Sequence, residues 1–361
     1  MEPVHSVVSQ RYRMPSKQQG TFSQQLPLNS NTMDKFQDSP MAVAIIGGGA
    51  AGMSCALWLK QLGYIPHIIE HNAKLGGQLL HINRTNRWVL GLPNRASAEL
   101  ATLYAEHVRN EAIATRCNSK LIAATATATA TGYDLIIEDL AQTAQRLSVR
   151  AIMIATGVRM LAHEIFSGVP GFQPLYDTGL VSFAPTDHLE NLAGLQGKTV
   201  AVIGGGDNAH FTAKDTALAG ARTFLLMRSR PKARNTIRKE VEALIGQGLI
   251  IEHTETQVCA FQRQQSGIEI TLLKPDAVME RIRADLIFAR TGFAANTEFL
   301  DDFECFSGIA KISGYLHTDP LKRTSIPQVY AIGDVANPRH QSVVSAIADG
   351  AIAAQDVDER V

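Results

Sequence analysis

Short Val/Ile-rich runs alternate with longer amphipathic stretches from Ala42 onward, the pattern of strand–helix–strand units feeding a parallel sheet. Two such units superpose without a gap. Residues 43–71 read VAIIGGGAAGMSCALWLKQLGYIPHIIEH, and residues 200–228 read VAVIGGGDNAHFTAKDTALAGARTFLLMR. Each predicts a strand, a triple glycine, a helix and a second strand. Between them, LIAATATATATGYDLIIEDL at 121–140 alternates with a period of two, which predicts two antiparallel strands turning at Thr131 and Gly132. AIMIATG at 151–157 and DLIFARTGF at 285–293 each read as a buried strand. The segment 328–355 reads as a strand, a loop and a helix. Residues 1–40, rich in Gln, Ser, Asn and Pro and without apolar periodicity, are expected to be a disordered extension.

The glycines carry the chemistry. Gly47, Gly49 and Gly52 form GxGxxG between a Val/Ile strand and a helix, with Ala51 inside the motif. The first glycine permits the tight turn and the second lets backbone approach a pyrophosphate. The third allows close helix–strand packing, and the phosphates sit on the helix N-terminus. Glu70 closes the second strand at the spacing, about 20 residues on, where a carboxylate accepts hydrogen bonds from ribose hydroxyls. In the second copy Gly204, Gly206 and Ala209 give GxGxxA around Asp207 and Asn208. Met227 stands at the acid position there, followed by Arg228, Ser229, Arg230, Lys232 and Arg234. Removing a carboxylate and adding cations suits a 2′-phosphate, so NADPH is expected at this site, with Arg228 and Arg230 on one side of an extended segment. FAD is the expected occupant of the first site, because a held flavin stores electrons for a second acceptor.

Composition narrows the class. Hydrophobic residues make up 45% of the chain and charged residues 19%, ordinary for a globular protein of 361 residues and about two domains. Lys+Arg and Asp+Glu both number 34, so net charge is zero; with no basic block, neither a nucleic-acid nor an anionic-membrane partner is expected. No apolar run approaches a membrane span and no secretory core opens the chain, which predicts a cytoplasmic protein. The four cysteines, Cys55, Cys117, Cys259 and Cys305, form no CxxC, an argument against a zinc site, a local dithiol or a disulfide framework. No metal ligands are proposed. Cys55, among Ala and Leu in the first helix, reads as a small buried hydrophobe.

In these motifs the chain resembles the two-domain pyridine nucleotide:flavin oxidoreductases of the thioredoxin reductase type, including the ferredoxin–NADP reductases that share the fold. The matching stretches are GGGAAG with Glu70, LGGQL at 75–79, IATG at 154–157, GGGDNA at 204–209, SIPQVYAIGDV at 325–335 and the helix that follows. The resemblance implies an α/β fold of two Rossmann-like, three-layer ββα dinucleotide-binding domains, the NADP domain inserted in the FAD domain. It would place the FAD domain at 41–160 and 294–361 and the NADP domain at 161–293. It further implies that Asp334, beside Gly333, binds the flavin's ribityl chain, and that Gly77, Gln78 and Leu79 pass beside the ring. Ala155, Thr156 and Gly157 would belong to the same cofactor site. His340, Gln341 and Ser342 would face its pyrimidine side. A homodimer is also implied.

The departure from that family type lies in the thiols. A thioredoxin reductase carries CxxC just before the second glycine loop, and the corresponding DTGLVSFAPTDHLENLAGLQGK at 177–198 has no cysteine. Glutathione-reductase relatives carry a pair after the first unit, where this chain has GGQLLHINRTNRWVLGLP. The cysteine-free pattern is nearer the ferredoxin–NADP reductase branch. The expected activity is hydride transfer from NADPH to FAD and onward to a ferredoxin- or flavodoxin-like protein, a quinone or a small disulfide. The alternatives are a non-turnover flavin sensor or docking subunit, and disulfide reduction with cysteines supplied by a partner. No side chain is assigned as catalytic, since hydride transfer needs chiefly positioning. Trp88 reads either as a flavin neighbour or as core packing, and His340 either as a proton donor or as a cap on the following helix.

Overall fold

A computed structural model describes residues 39–360 apart from 83, 129, 130 and 162. The expectation for residues 1–40 therefore falls almost wholly outside the described residues. Val43-Ala44-Ile45 and their neighbours form the centre of a five-stranded parallel sheet ordered Val329–Ala331, Ala151–Ile154, Ala42–Ile46, Ile65–Ile69, Ala114–Arg116. A second parallel sheet repeats the arrangement: Val181–Ser182, Leu286–Ala289, Thr199–Ile203, Arg222–Leu226, Ile250–His253.

Strands covered on both faces read as near-continuous apolar runs, and successive side chains serve opposite layers. Ala42, Ala44 and Ile46 pack with Leu121, Leu135 and Leu147 of a three-stranded antiparallel sheet. Val43 and Ile45 face the other way, onto Met53, Cys55 and Leu59 of the Ala50–Gln61 helix and Val357 of the Val343–Glu359 helix. The second unit divides likewise. Ala201 and Ile203 meet Phe261, Ile270 and Leu272 of another antiparallel triplet, while Val200 and Val202 meet Ala209, Ala213 and Val241 of two helices. Both units are thus three-layer Rossmann-like domains.

The predicted antiparallel pair at 121–140 is present as Ser119–Ala126 and Tyr133–Asp139. The strand read at 285–293 is shorter than expected. It ends at Ala289, the chain turns, and a separate strand Phe293–Ala295 pairs antiparallel with Val158–Met160. Paired hydrogen bonds reinforce this neck between the units, Thr156 Oγ1 donating to the Asn296 carbonyl and Asn296 Nδ2 donating to the Thr156 carbonyl, both at 2.8 Å. Among the described residues no helix is long and apolar enough to cross a membrane, and no His/Cys/Asp/Glu group is placed to hold a metal.

Candidate functional site

At Gly47 and Gly52 of the first glycine loop the backbone leaves no room for a side chain. Gly47 has φ +113°, and a Cβ there would lie 2.4 Å from the Ala155 carbonyl oxygen. A Cβ at Gly52 would lie 2.1 Å from the Gly47 carbonyl. The loop is tied to the strands on both sides, the Gly47 amide donating to the Ile69 carbonyl and the Ala155 amide to the Ile46 carbonyl, each at 2.8 Å. Gly49 is the N-cap of the Ala50–Gln61 helix and offers no side-chain cap, so the first-turn amides are left for an anion.

Glu70, nearly buried, holds the loop from below. One carboxylate oxygen accepts the Gly48 amide at 2.7 Å; the other accepts the Asn72 amide and side chain at 2.8 Å. The oxygen on Gly48 keeps a further lone pair for a ribose hydroxyl. The 76–79 turn lies against the same loop, the Gly76 amide donating to the Gly48 carbonyl at 2.9 Å. A Cβ at Gly77 would sit 3.1 Å from the Gly49 Cα. Gln78 donates to the Val158 carbonyl at 2.6 Å while its Oε1 is buried without a partner, and Leu79 packs on Leu100 and Ala101. Ala155, Thr156 and Gly157 stand where the neck begins.

Gly333 and Asp334 follow the Val329–Ala331 strand and close the cradle, since a Cβ at Gly333 would lie 2.8 Å from Ala51 Cβ. Asp334 Oδ1 is buried with no hydrogen-bond partner. Burial, and then the nearby Asp349, push its carboxyl up to about 6. An unpartnered buried acceptor beside a glycine-lined cradle is what a polyhydroxyl chain would satisfy. His340, Gln341 and Ser342 lead into the Val343–Glu359 helix. Ser342 rather than His340 caps it, its Oγ accepting the Ser345 amide at 3.1 Å, and Gln341 Nε2 donates to the Tyr315 hydroxyl at 3.3 Å.

A pH experiment follows from Asp334. Its carboxyl is held above the ordinary 3.8, so the charged form destabilises the fold, and that penalty is relieved as pH falls through about 6. About two pH units correspond to about 3 kcal/mol. His67, which burial and then Arg116 hold down to about 4, acts in the opposite sense below its ordinary 6.5. The contrast is therefore read against Asp334→Asn. After flavin is stripped, wild type should gain thermal stability relative to Asp334→Asn between pH 7.5 and 5.5, and parallel melting curves would remove Asp334 from this account.

The second loop repeats the first. Gly204 has φ +143°, and a Cβ there would lie 2.2 Å from the Arg290 carbonyl oxygen. Gly206 is an N-cap without a side-chain cap for the Asp207–Leu218 helix, and Ala209 is fully buried beneath it. Met227 is also fully buried, against Gly205 and with its amide on the His253 carbonyl. The residues after it bend rather than extend, so Arg228 and Arg230 do not alternate along a strand as expected. The bend draws the segment over the glycine loop, the Lys232 amide donating to the Gly205 carbonyl and the Arg234 amide to Asp207 Oδ1, both at 2.8 Å. Asn208 is half-buried, Arg228 is exposed, and Arg230 stands 3.9 Å from Glu255.

Sequence reasoning missed a charged network where the two units meet. Arg290 is buried and donates to Asp187 Oδ1 at 2.7 Å, to Thr212 Oγ1 at 3.2 Å and to the Ser182 carbonyl at 3.2 Å. Burial pulls its guanidinium down to about 10. His188 places Nδ1 3.5 Å from Arg290 and Nε2 3.1 Å from Asp215. Arg290 can only donate, so Nδ1 accepts and Nε2 carries the proton. Asp215 in turn meets Arg84 of the first unit at 2.7 Å, and Arg84 stacks 4.5 Å over Phe211. The one sequence signal was an arginine closing the apolar run LIFA. Trp88 is 71% exposed, so core packing is excluded; its ring faces Arg234 at 5.6 Å. Cys55 is fully buried, as expected, and burial pushes its thiol far up. Cys117 lies in the bend after the Ala114–Arg116 strand, Cys259 in a strand and Cys305 in a short 3-10 turn, and all four are free thiols.

The comparisons with known proteins agree with this geometry. A family model described as pyridine nucleotide-disulphide oxidoreductase matches residues 41–350. The thioredoxin reductase of Treponema pallidum (strain Nichols) is 28% identical over 325 residues, covering 86% of this chain and 94% of that protein. One subunit of the alkyl hydroperoxide reductase of Xanthomonas campestris pv. phaseoli is 24% identical over 318 residues, 86% of this chain but 55% of the relative. The chain thus spans about half the length of that relative. The Lactococcus lactis thioredoxin reductase structure superposes with a TM-score of 0.73 at 23% identity, covering 88% of this chain and 98% of that one, a likeness of fold. The two cradles, with the unpartnered Asp334 oxygen in the first, fit FAD and NADPH. A strand-borne glycine loop built twice, each closed by an uncapped helix, together with a family match over most of the sequence, establishes that the chain belongs to the pyridine nucleotide-disulphide oxidoreductase family.

Proposed function

We propose that this protein is an NADPH-dependent FAD oxidoreductase that delivers electrons to an external acceptor without a redox dithiol of its own. The observation that carries the reading is the pair of near-identical glycine cradles with opposite rims: buried Glu70 on one, Met227 and a basic segment on the other. FAD in the first cradle would supply the hydride acceptance and onward electron transfer that no side chain performs. The chain's part is to position and to choose. The 47–52 loop and Glu70 would hold the adenosine end, Asp334 would accept from the ribityl hydroxyls, and Gln78 would lie along the ring. Gly204, Gly206, Asp207, Asn208 and Ala209 would seat the second pyrophosphate, with Arg228 and Arg230 at the 2′-phosphate. On this reading the FAD domain comprises 41–160 and 294–361, and the NADP domain 161–293. A protein acceptor of ferredoxin or flavodoxin type, a quinone or a small disulfide all suit a flavin with no CxxC beside it.

The test is an anaerobic titration of the purified protein with NADPH and NADH in parallel. Flavin absorbance should bleach with about one equivalent of NADPH, and steady NADPH consumption with ferricyanide should follow. A yellow protein that ignores both nucleotides would overturn the reading in favour of a flavin sensor. The specificity claim has its own check. Arg228→Ala with Arg230→Ala removes charge-assisted bonds worth about 1.5–3 kcal/mol each. NADPH affinity should fall at least ten- to a hundredfold with NADH little changed. An unaltered preference would make these arginines solvated surface.

A further inference from the structure

We propose that Arg234 bridges the two units through Trp88 and is drawn toward the nucleotide's 2′-phosphate, a shift that moves it off the Trp88 ring and releases the Trp88 segment. The inference rests on the reading of the second cradle as an NADPH site and adds a coupling to it.

Arg234 stands between Asp207 and Trp88. Its backbone amide donates to Asp207 Oδ1 at 2.8 Å, and its guanidinium Nε pairs with Asp207 Oδ2. Asp207 is the first residue of the helix whose N-terminus closes the second cradle. On its far side the guanidinium carbon lies 5.6 Å from the ring centre of Trp88, a residue of the first unit. The segment that carries Arg234 is already folded over the glycine loop by the Lys232–Gly205 hydrogen bond, so this cation shares the rim with Arg228 and Arg230. Arg234 is more than half exposed and so is Trp88, and an exposed cation–π contact is weak. A phosphate dianion presents more charge and bidentate geometry to a guanidinium than an indole face does. When a 2′-phosphate binds, the Trp88 contact is the one that yields.

The bridge at Arg84 would stay in place. Arg84 meets Asp215 at 2.7 Å and stacks on Phe211, and Asp215 is backed by the buried His188 and Arg290. None of these groups lies on the 228–234 rim. Of these two bridges, that at Arg234 is thus sensitive to the 2′-phosphate and that at Arg84 is not, so a phosphorylated nucleotide loosens the Trp88 edge without parting the units. A nucleotide lacking that phosphate leaves both bridges intact.

The chain has two tryptophans, which makes the test direct. Adenosine 2′,5′-bisphosphate and 5′-AMP are titrated into the full-length, flavin-loaded protein, neither able to reduce the flavin. Binding is followed by calorimetry and tryptophan emission in parallel. Adenosine 2′,5′-bisphosphate should change the emission of wild type but not of Trp88→Phe, and 5′-AMP should change neither. Arg234→Met should show altered emission before any addition, no further change on binding, and about tenfold weaker affinity for the bisphosphate. The coupling is overturned if the bisphosphate binds wild type while Trp88 emission matches that with 5′-AMP, or if Arg234→Met binds it as tightly as wild type. Failure of the bisphosphate to bind at all overturns the NADPH reading and the coupling with it, whereas binding without the emission change overturns the coupling alone.

Discussion

Gly47→Ala should purify colourless and melt well below wild type, whereas Gly49→Ala should melt normally once flavin is stripped and yet hold flavin poorly. The two glycines stand two residues apart in one motif but answer to different constraints. At Gly47 the backbone lies at φ +113°, and the new methyl would sit 2.4 Å from the Ala155 carbonyl oxygen, backbone that cannot step aside. Overpacking of about 1–3 kcal/mol and a strained φ of about 1–3 kcal/mol act together there. At Gly49 φ is −76° and nothing lies within 4 Å of an added Cβ, so the apo fold is spared. What the methyl occupies is the space into which a pyrophosphate must come to reach the helix amides. Differential scanning of the stripped proteins and flavin content at purification measure the two effects separately. Equal loss of flavin and of melting temperature in both variants would mean that the loop is a structural turn and not a cofactor cradle.

Arg290→Met should lower stability by about 3–5 kcal/mol, because removing one partner of a buried ion pair strands the others. At about 2.1 cal/mol/K per residue, a chain of 361 residues should then lose roughly 4–7 °C in Tm. The guanidinium serves Asp187, Thr212, the Ser182 carbonyl and the acceptor nitrogen of His188 at once. Arg290→Lys keeps the charge but not the fork of donors and should recover only part of the loss. Nucleotide affinity should fall with stability, since the Arg290 carbonyl is the floor on which Gly204 rests. A variant that melts like wild type would show that the network is solvated in solution.

Much of the candidate site was legible because its determinants are local. Gly47, Gly49, Gly52 and Glu70 fall within one strand–helix–strand unit, and each is required by a backbone turn or a pyrophosphate contact that the spacing alone specifies. The same holds for Gly204, Gly206 and Ala209. The near-continuous Val/Ile-rich runs likewise predicted the strands of a parallel sheet, since a sheet covered on both sides needs them. Two local readings failed for reasons that are not local. The run at 285–293 reads as one strand because of its apolar LIFA, but Arg290 is drawn into an ion pair with Asp187 and the chain turns there. The basic residues after Met227 read as an extended strand, yet hydrogen bonds to Gly205 and Asp207 fold them back over the glycine loop.

By itself, then, the order of residues determined that the chain carries two glycine-loop units whose acid positions differ in charge and no CxxC, because glycine geometry, strand period and cysteine spacing are short-range properties. Only the tertiary structure decided that Asp334 is left with an unsatisfied buried oxygen, that Arg84 reaches Asp215 across the seam, and that Arg234 stands between Asp207 and Trp88. Those partners lie far apart along the chain. Nothing in a local pattern selects one distant carboxylate or ring over another until packing brings them within a few ångströms.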